Sequence, residues 1–148
     1  MIFVDSNMWC YYFDQRLPEH EHVRGPLRKI IQSEEIACNT IIVMEVAHYL
    51  VRHFAQEDAR KKIDCFVNLR NMKIVDFNRQ IMTQTLEGLI EYAYTDGLGG
   101  RDATVTATLK SQNIKRILSH DDIFKRLAEK LVLEVIDPVS ATPPKRFP

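Results

Sequence analysis

The chain has 148 residues, which is enough for one domain with a core that folds on its own. Its 20 basic and 20 acidic residues give a net charge of zero, and this balance neither requires nor excludes a nucleic-acid partner. The three cysteines are widely spaced and form no CxxC pair, which argues against a disulfide framework and against a common zinc site.

Strands and helices alternate along the chain. In sequence order we predict a strand at 1–4, helices at 7–13 and 19–33, a strand at 36–38, helices at 40–54 and 57–71, a strand at 73–77, helices at 79–94 and 101–111, a strand at 116–119, a helix at 122–130 and a strand at 131–136. This alternation predicts the α/β class, as a three-layer α/β/α sandwich with a mainly parallel sheet of about five strands.

The folded domain is expected to span residues 1–138, followed by a Pro-rich C-terminal tail at 139–148. From Ser140 onward, the sequence is predicted to continue neither a helix nor a central strand. No apolar run reaches the roughly 18 residues that suggest a membrane span, and no signal peptide precedes the first strand. We therefore expect a cytoplasmic protein with no membrane partner.

Four acidic residues occupy positions from which they can reach one edge of the predicted sheet. Asp5 and Asp121 each end a strand, where open α/β folds place their active sites. Asp102 begins a helix after the glycines at 99–100. Glu45 lies on an apolar helix, where a carboxylate is costly to bury unless it is paired or bound to a metal. Four carboxylates in one pocket repel one another unless cations are present, so the pattern predicts a Mg²⁺ or Mn²⁺ site.

Each acid also has a simpler explanation. Asp5 and Asp121 could cap the helices that follow them, and so could Asp122. Asp102 could stabilise the N-terminus of its helix through the helix dipole. The occurrence of all four acids in this order, on these elements, is what favours a shared site.

The chain resembles the PIN domain family and, within it, the VapC-like toxins of bacterial and archaeal toxin–antitoxin pairs. The resemblance covers roughly residues 1–138. It implies a flavodoxin-like sandwich, metal-dependent endoribonuclease activity and frequent dimerisation. The matching segments are Ile2-Phe3-Val4-Asp5-Ser6-Asn7, Glu45 within its apolar helix, Gly100-Arg101-Asp102-Ala103, and Ile117-Leu118-Ser119-His120-Asp121-Asp122-Ile123-Phe124.

The resemblance also assigns roles to single residues, as an acidic quartet that is catalytic and holds the metal, with three supporting polar residues. Ser119 stands where many relatives carry Thr, and Ile123 stands where many carry Asp. Asp122 lies one position before that second acid, so Asp121 is preferred as the fourth member. The quartet is Asp5, Glu45, Asp102 and Asp121, and the supporting residues are Ser6, Asn7 and Ser119.

The expected reaction is hydrolysis of RNA phosphodiester bonds by a water that Mg²⁺ or Mn²⁺ activates, leaving a 5′ phosphate and a 3′ hydroxyl. Arg101 is a candidate contact for the substrate phosphate. RNA would be held largely through its backbone, in single-stranded or looped regions. The expected partners are RNA, a cognate antitoxin and a second copy of the chain.

Several alternatives stay open at the level of sequence. An RNA-processing PIN nuclease that is not a toxin would carry the same motifs, and a non-catalytic PIN-like scaffold would share the fold. A receiver-like signalling domain shares the layout, but it requires paired acids after the first strand and a late strand-ending Lys, which this chain lacks. We interpret His20-Glu21-His22 as a solvated face rather than a metal site. The aromatic residues at 9 and 11–13 are interpreted mainly as core or interface residues, with base stacking as the alternative for one of them.

Overall fold

A five-stranded parallel sheet organises the protein in the computed structural model, which describes residues 1–141. The strand order is β3-β2-β1-β4-β5, and every neighbouring pair is parallel. The central strand is fully buried, as expected when helices cover both faces of a sheet. The predicted α/β class is confirmed. The strands are β1 Ile2–Val4, β2 Ile36–Asn39, β3 Met72–Val75, β4 Arg116–Leu118 and β5 Glu134–Ile136.

The helices follow the predicted order, with one addition at the C-terminal end. Within residues 1–141, no helix has the length and apolar content needed to cross a bilayer. The helices are α1 Ser6–Phe13, α2 His20–Ser33, α3 Thr40–His53, α4 Gln56–Val67, α5 Arg79–Asp96, α6 Gly100–Ser111, α7 Asp122–Leu131 and α8 Pro138–Ala141.

The short helix α8 corrects the prediction that the tail cannot continue a helix from Ser140 onward. Asp137 caps α8, because its Oδ1 accepts hydrogen bonds from the backbone N–H groups of Val139 at 3.0 Å and Ser140 at 3.2 Å. Pro138 then occupies the first helical position, where a missing N–H has no cost. The rest of the predicted tail, residues 142–148, lies outside the described residues.

The order of the strands creates a crevice beside β1. The chain runs from β1 to β2 and β3 on one side, and returns to β4 and β5 on the other. Ligands of open α/β sheets bind at such a reversal, outside the carboxyl ends of the strands. Below this edge the core is dense, and Trp9 is fully buried against Phe66, with ring centroids 4.7 Å apart. Trp9 is therefore a core residue rather than a platform for a nucleic-acid base.

Candidate active site

Asp5 is held rigidly at the carboxyl end of β1. Its backbone N–H donates to the carbonyl of Leu118 at 3.0 Å, which continues the pairing of β1 with β4. Its carboxylate caps α1 by accepting from the N–H of Ser6 at 2.8 Å, and it accepts from the hydroxyl of Ser119 at 2.7 Å. Asp5 is fully buried. The residue is thus a helix cap, and its fixed carboxylate also faces the crevice.

The loop after β4 presents a second acid. Asp121 occupies the N-cap position of α7, but its carboxylate makes no capping hydrogen bond. Its backbone N–H instead donates to the Ser119 hydroxyl at 3.1 Å, so Ser119 links this loop to Asp5. The neighbouring Asp122 is 79% exposed and pairs with Lys125 at 3.6 Å. The structure therefore directs Asp121, and not Asp122, towards Asp5.

Two helix N-termini supply the remaining acids. Glu45 lies in the second turn of α3, whose start is fixed because Asn39 caps it by accepting from the N–H of Ile42 at 2.8 Å. The Asn39 amide also donates to the hydroxyl of Thr108 at 3.0 Å, which ties the start of α3 to α6. Asp102 lies in the first turn of α6. Both carboxylates are partly buried.

The four acids converge on the guanidinium of Arg101. Its Nε donates to both carboxylate oxygens of Glu45 at 3.1 Å. Its Nη1 donates to Asp102 at 2.6 Å and to Asp121 at 3.3 Å. Its Nη2 donates to Asp5. We call these four carboxylates the acid cluster. The sequence predicted their proximity but did not predict a cation from the chain itself at their centre.

The electrostatics of the acid cluster are those of a site with excess negative charge. Burial and the charge of Asp5 raise the pKa of Asp121 to about 6, with Arg101 opposing that rise. Burial by itself would lower the pKa of Arg101, but the charges of Asp5 and Glu45, and the hydrogen bonds that Arg101 donates to Asp5 and Asp102, raise that pKa well above its usual range. One guanidinium thus stands against four carboxylates, and the site attracts further positive charge.

The site has the donor atoms that a hard divalent cation prefers, but those atoms are not grouped as ligands of one metal ion. Carboxylate and hydroxyl oxygens are the ligands that Mg²⁺ and Mn²⁺ prefer. Within residues 1–141, however, no three His, Cys, Asp or Glu side chains are grouped so that they could hold a metal ion. The carboxylates are instead spaced around the guanidinium of Arg101.

The two polar residues after Asp5 differ in their surroundings. Ser6 donates its hydroxyl to Glu45 at 3.2 Å and accepts from Arg101 at 2.5 Å, so it bridges α1, α3 and α6. The amide oxygen of Asn7 is buried and has no hydrogen-bond partner in the part of the chain that the structure describes. A buried, unpaired amide oxygen near a charged site is a potential acceptor for a water or a ligand.

Other sequence candidates lie outside this site. His20 uses its Nδ1 in a 2.7 Å hydrogen bond with the carbonyl of Tyr11, which makes it part of the local packing. His120 pairs with Asp137 at 2.9 Å. No sequence pattern indicated that pair, because its members come from two different loops at the sheet edge.

A parallel sheet with a carboxylate cluster at the point of chain reversal defines an α/β protein with an acidic crevice. Residues 2–130 match the sequence profile of the PIN domain. The chain therefore belongs to the PIN domain family, as its sequence motifs predicted. A comparison of the sequence with curated proteins gives no significant match.

Several solved structures share this fold. VapC20 of Mycobacterium tuberculosis, described as a sarcin–ricin loop cleaving toxin, has a TM-score of 0.69 at 16% identity, covering 85% of this chain and 94% of its own. VapBC2 of Rickettsia felis, bound to a promoter DNA fragment, has a TM-score of 0.69 at 20% identity, covering 93% and 98%. FitAcB of Neisseria gonorrhoeae has a TM-score of 0.69 at 18% identity, also covering 93% and 98%. At these identities the likeness is one of fold.

Proposed function

We propose that this protein is an endoribonuclease that uses Mg²⁺ or Mn²⁺ to hydrolyse RNA phosphodiester bonds with water. One observation carries the proposal: four carboxylates from separate parts of a PIN fold meet around a single cation position at the sheet edge. A structural role alone does not require four acids at one point, because like charges in a shared pocket repel one another.

The side chains of the site would have different roles in the proposed reaction. Asp5, Glu45, Asp102 and Asp121 would hold the ion. A bound divalent ion would supply an activated water and neutralise charge that develops on the phosphate. Ser119 fixes the Asp5 carboxylate through its 2.7 Å hydrogen bond, so that this oxygen keeps its direction. Because water is the nucleophile, the products carry a 5′ phosphate and a 3′ hydroxyl.

The central test is cleavage of mixed cellular RNA by the purified protein, with Mg²⁺, with Mn²⁺ or with a chelator, followed by mapping of the RNA ends. We expect cleavage with either metal, loss of cleavage with the chelator, and 5′-phosphate ends. Replacing Asp5 or Asp102 by Asn should lower the cleavage rate about a hundredfold or more, because each change removes a charged oxygen from the ion site.

Asp122→Asn is the matched control for these variants. It makes the same chemical change one residue from Asp121, on a side chain that is 79% exposed and directed to Lys125. Its cleavage rate should stay within about twofold of the wild-type rate, as is usual for exposed positions. Equal rates for Asp5→Asn, Asp102→Asn and wild type would reject the assignment of the acid cluster.

We further propose that the nuclease is the toxin of a toxin–antitoxin pair. Support comes from the fold it shares with VapC20, described as a toxin, and with the VapBC2 complex; this is an analogy of fold. Expression of the chain should arrest growth, and co-expression of an adjacent short reading frame should relieve the arrest. Expression without arrest, combined with cleavage in vitro, would favour an RNA-processing role instead.

A further inference from the structure

Arg101 already neutralises part of the charge of the acid cluster. Among the ion pairs of residues 1–141, it is the only cation that contacts any of the four carboxylates. Its guanidinium can do this because five N–H donors in a planar fork can reach several carboxylates at once, which a compact ammonium cannot. Asp5 has the greatest need of this partner, because a fully buried carboxylate without a nearby positive charge is costly.

We propose that Arg101 is the resident counter-ion of the acid cluster, and that its guanidinium leaves the carboxylates when a divalent cation binds among them. The inference rests on the proposed function, since it concerns the same carboxylates and the same class of ion.

The two cations compete for the same oxygens. A guanidinium hydrogen bonded to every acid of the cluster leaves no room for an ion that needs oxygens at roughly 2.0–2.1 Å. Positive charges a few ångströms apart also repel strongly in a partly buried site, where water screens them only in part. Within residues 1–141, the four carboxylates are each hydrogen bonded to Arg101, and no three acids are grouped so that they could hold a metal ion.

The side chain of Arg101 is held by fewer fixed contacts with the backbone than the carboxylate of Asp5, and it can therefore move more easily. Its side chain is 29% exposed, and it lies in the first turn of α6, directly after Gly99 and Gly100. A Cβ added at either glycine would have no atom within 4 Å, so the backbone there has open space around it. Asp5, in contrast, is fixed by the N–H of Ser6 and the hydroxyl of Ser119.

The released guanidinium has a natural second partner. Arginine forms forked hydrogen bonds with phosphate as readily as with carboxylate. Arg101 would therefore exchange the acid cluster for the phosphate of the RNA after the ion binds. The affinity of the site for the ion is therefore lower than that of the four carboxylates alone, because the ion must first displace the guanidinium of Arg101.

The experiment is a Mn²⁺ titration of the purified full-length protein without RNA, with free Mn²⁺ followed by electron paramagnetic resonance. The variants are Arg101→Gln and Arg28→Gln, a matched control that removes one arginine charge from an exposed position on α2. We expect Arg101→Gln to bind Mn²⁺ about tenfold more tightly than wild type, and Arg28→Gln to bind like wild type. Without metal, Arg101→Gln should melt at a lower temperature than wild type, and Mn²⁺ should stabilise it by the larger amount.

The outcomes separate this inference from the proposed function. If wild type binds Mn²⁺ and Arg101→Gln binds equally or more weakly, the counter-ion role is overturned while the metal site stands. If no variant binds Mn²⁺ at millimolar concentration, both fall. Should Arg101→Gln fail to fold, Arg101→Lys gives the same test, because its ammonium has fewer donors for the four acids. Arg101→Lys should bind Mn²⁺ a few-fold more tightly than wild type, and unchanged binding would overturn the inference.

Discussion

At Asp121, burial and the charge of Asp5 raise the pKa from about 3.8 to about 6. The folded state therefore binds this proton more tightly than the unfolded state does. Below about pH 4, Asp121 is protonated in both the folded and the unfolded state, so it does not lower the free energy of unfolding. Between about pH 4 and pH 6, the free energy of unfolding falls as pH rises, because the carboxylate ionises more readily in the unfolded state. Above about pH 6 the carboxylate is ionised in both states, and the full destabilisation remains.

Asp121→Asn should therefore stabilise the metal-free protein at pH 7.5, and the gain should vanish near pH 4. We expect about 1 kcal/mol, because solvent screens a side chain that is 42% exposed, and a rise in melting temperature of about 2–4 °C. Thermal denaturation in chelator between pH 4 and pH 8 measures this. Asp122→Asn, the same change on a carboxylate that is 79% exposed, should leave the melting temperature at pH 7.5 close to that of wild type. A lower melting temperature for Asp121→Asn at pH 7.5 would mean that its ion pair with Arg101 outweighs the cost of burial.

Single residues of the site differ in how far the sequence reveals them. Asp5 and Asp121 could be placed because the end of a parallel strand fixes where its next side chain lies. Arg101 could not, because its partners Asp5 and Glu45 lie 96 and 56 residues away along the chain. From the sequence, Arg101 was predicted to contact the substrate phosphate instead. The local segment Gly100-Arg101-Asp102 does not show which anions surround the guanidinium.

The junction of α7 and β5 contains a strained residue. Val132 ends α7 with φ 51° and ψ 54°, a left-handed conformation that is costly for a β-branched side chain. Its side chain is 73% exposed, so a smaller residue would lose little packing. Val132→Gly should stabilise the protein by about 1 kcal/mol and raise the melting temperature by about 2–4 °C.

Val51→Gly is the control for that prediction. Val51 is also exposed, at 63%, but it lies within α3, where glycine is a poorer helix former than valine. Thermal denaturation should show a small loss of stability for Val51→Gly and a gain for Val132→Gly. A loss in both variants would show that the left-handed cap carries no appreciable strain.

Element boundaries show where local sequence misleads. The segment 131–136 was predicted as one strand from its apolar residues, but Leu131 still belongs to α7 and the strand covers only Glu134–Ile136. The helix predicted at 57–71 ends at Val67, because Asn68 caps it and donates its amide to the carbonyl of Asp64 at 2.8 Å. The order of elements was predictable because periodicity persists over many residues, whereas each end depends on one cap.

At the scale of the whole molecule, a stripe of exposed apolar residues lies on α5, a helix that contributes no member of the acid cluster. Helix α5 packs against α6 and α7 on its inner side. Its outer side carries a stripe of exposed apolar residues, although a surface helix normally turns charged and polar residues to water. A stripe of this kind predicts a protein–protein interface. The stripe consists of Met82, Leu86, Ile90 and Tyr94, one residue every four positions.

We expect the α5 stripe to pack against the same stripe of a second copy of the chain. The two copies would then be related by a two-fold axis, which is the commonest symmetry of homo-oligomers. Ile90 is central and 72% exposed, so Ile90→Glu would place two like charges inside the interface without disturbing the core. Light scattering after size exclusion should give the mass of two chains for wild type and of one chain for Ile90→Glu. Val132→Glu makes a comparable change at an exposed aliphatic residue outside the stripe and should keep the wild-type mass. A single-chain mass for wild type at micromolar concentration would contradict the dimer, and an unchanged mass for Ile90→Glu would place the contact elsewhere.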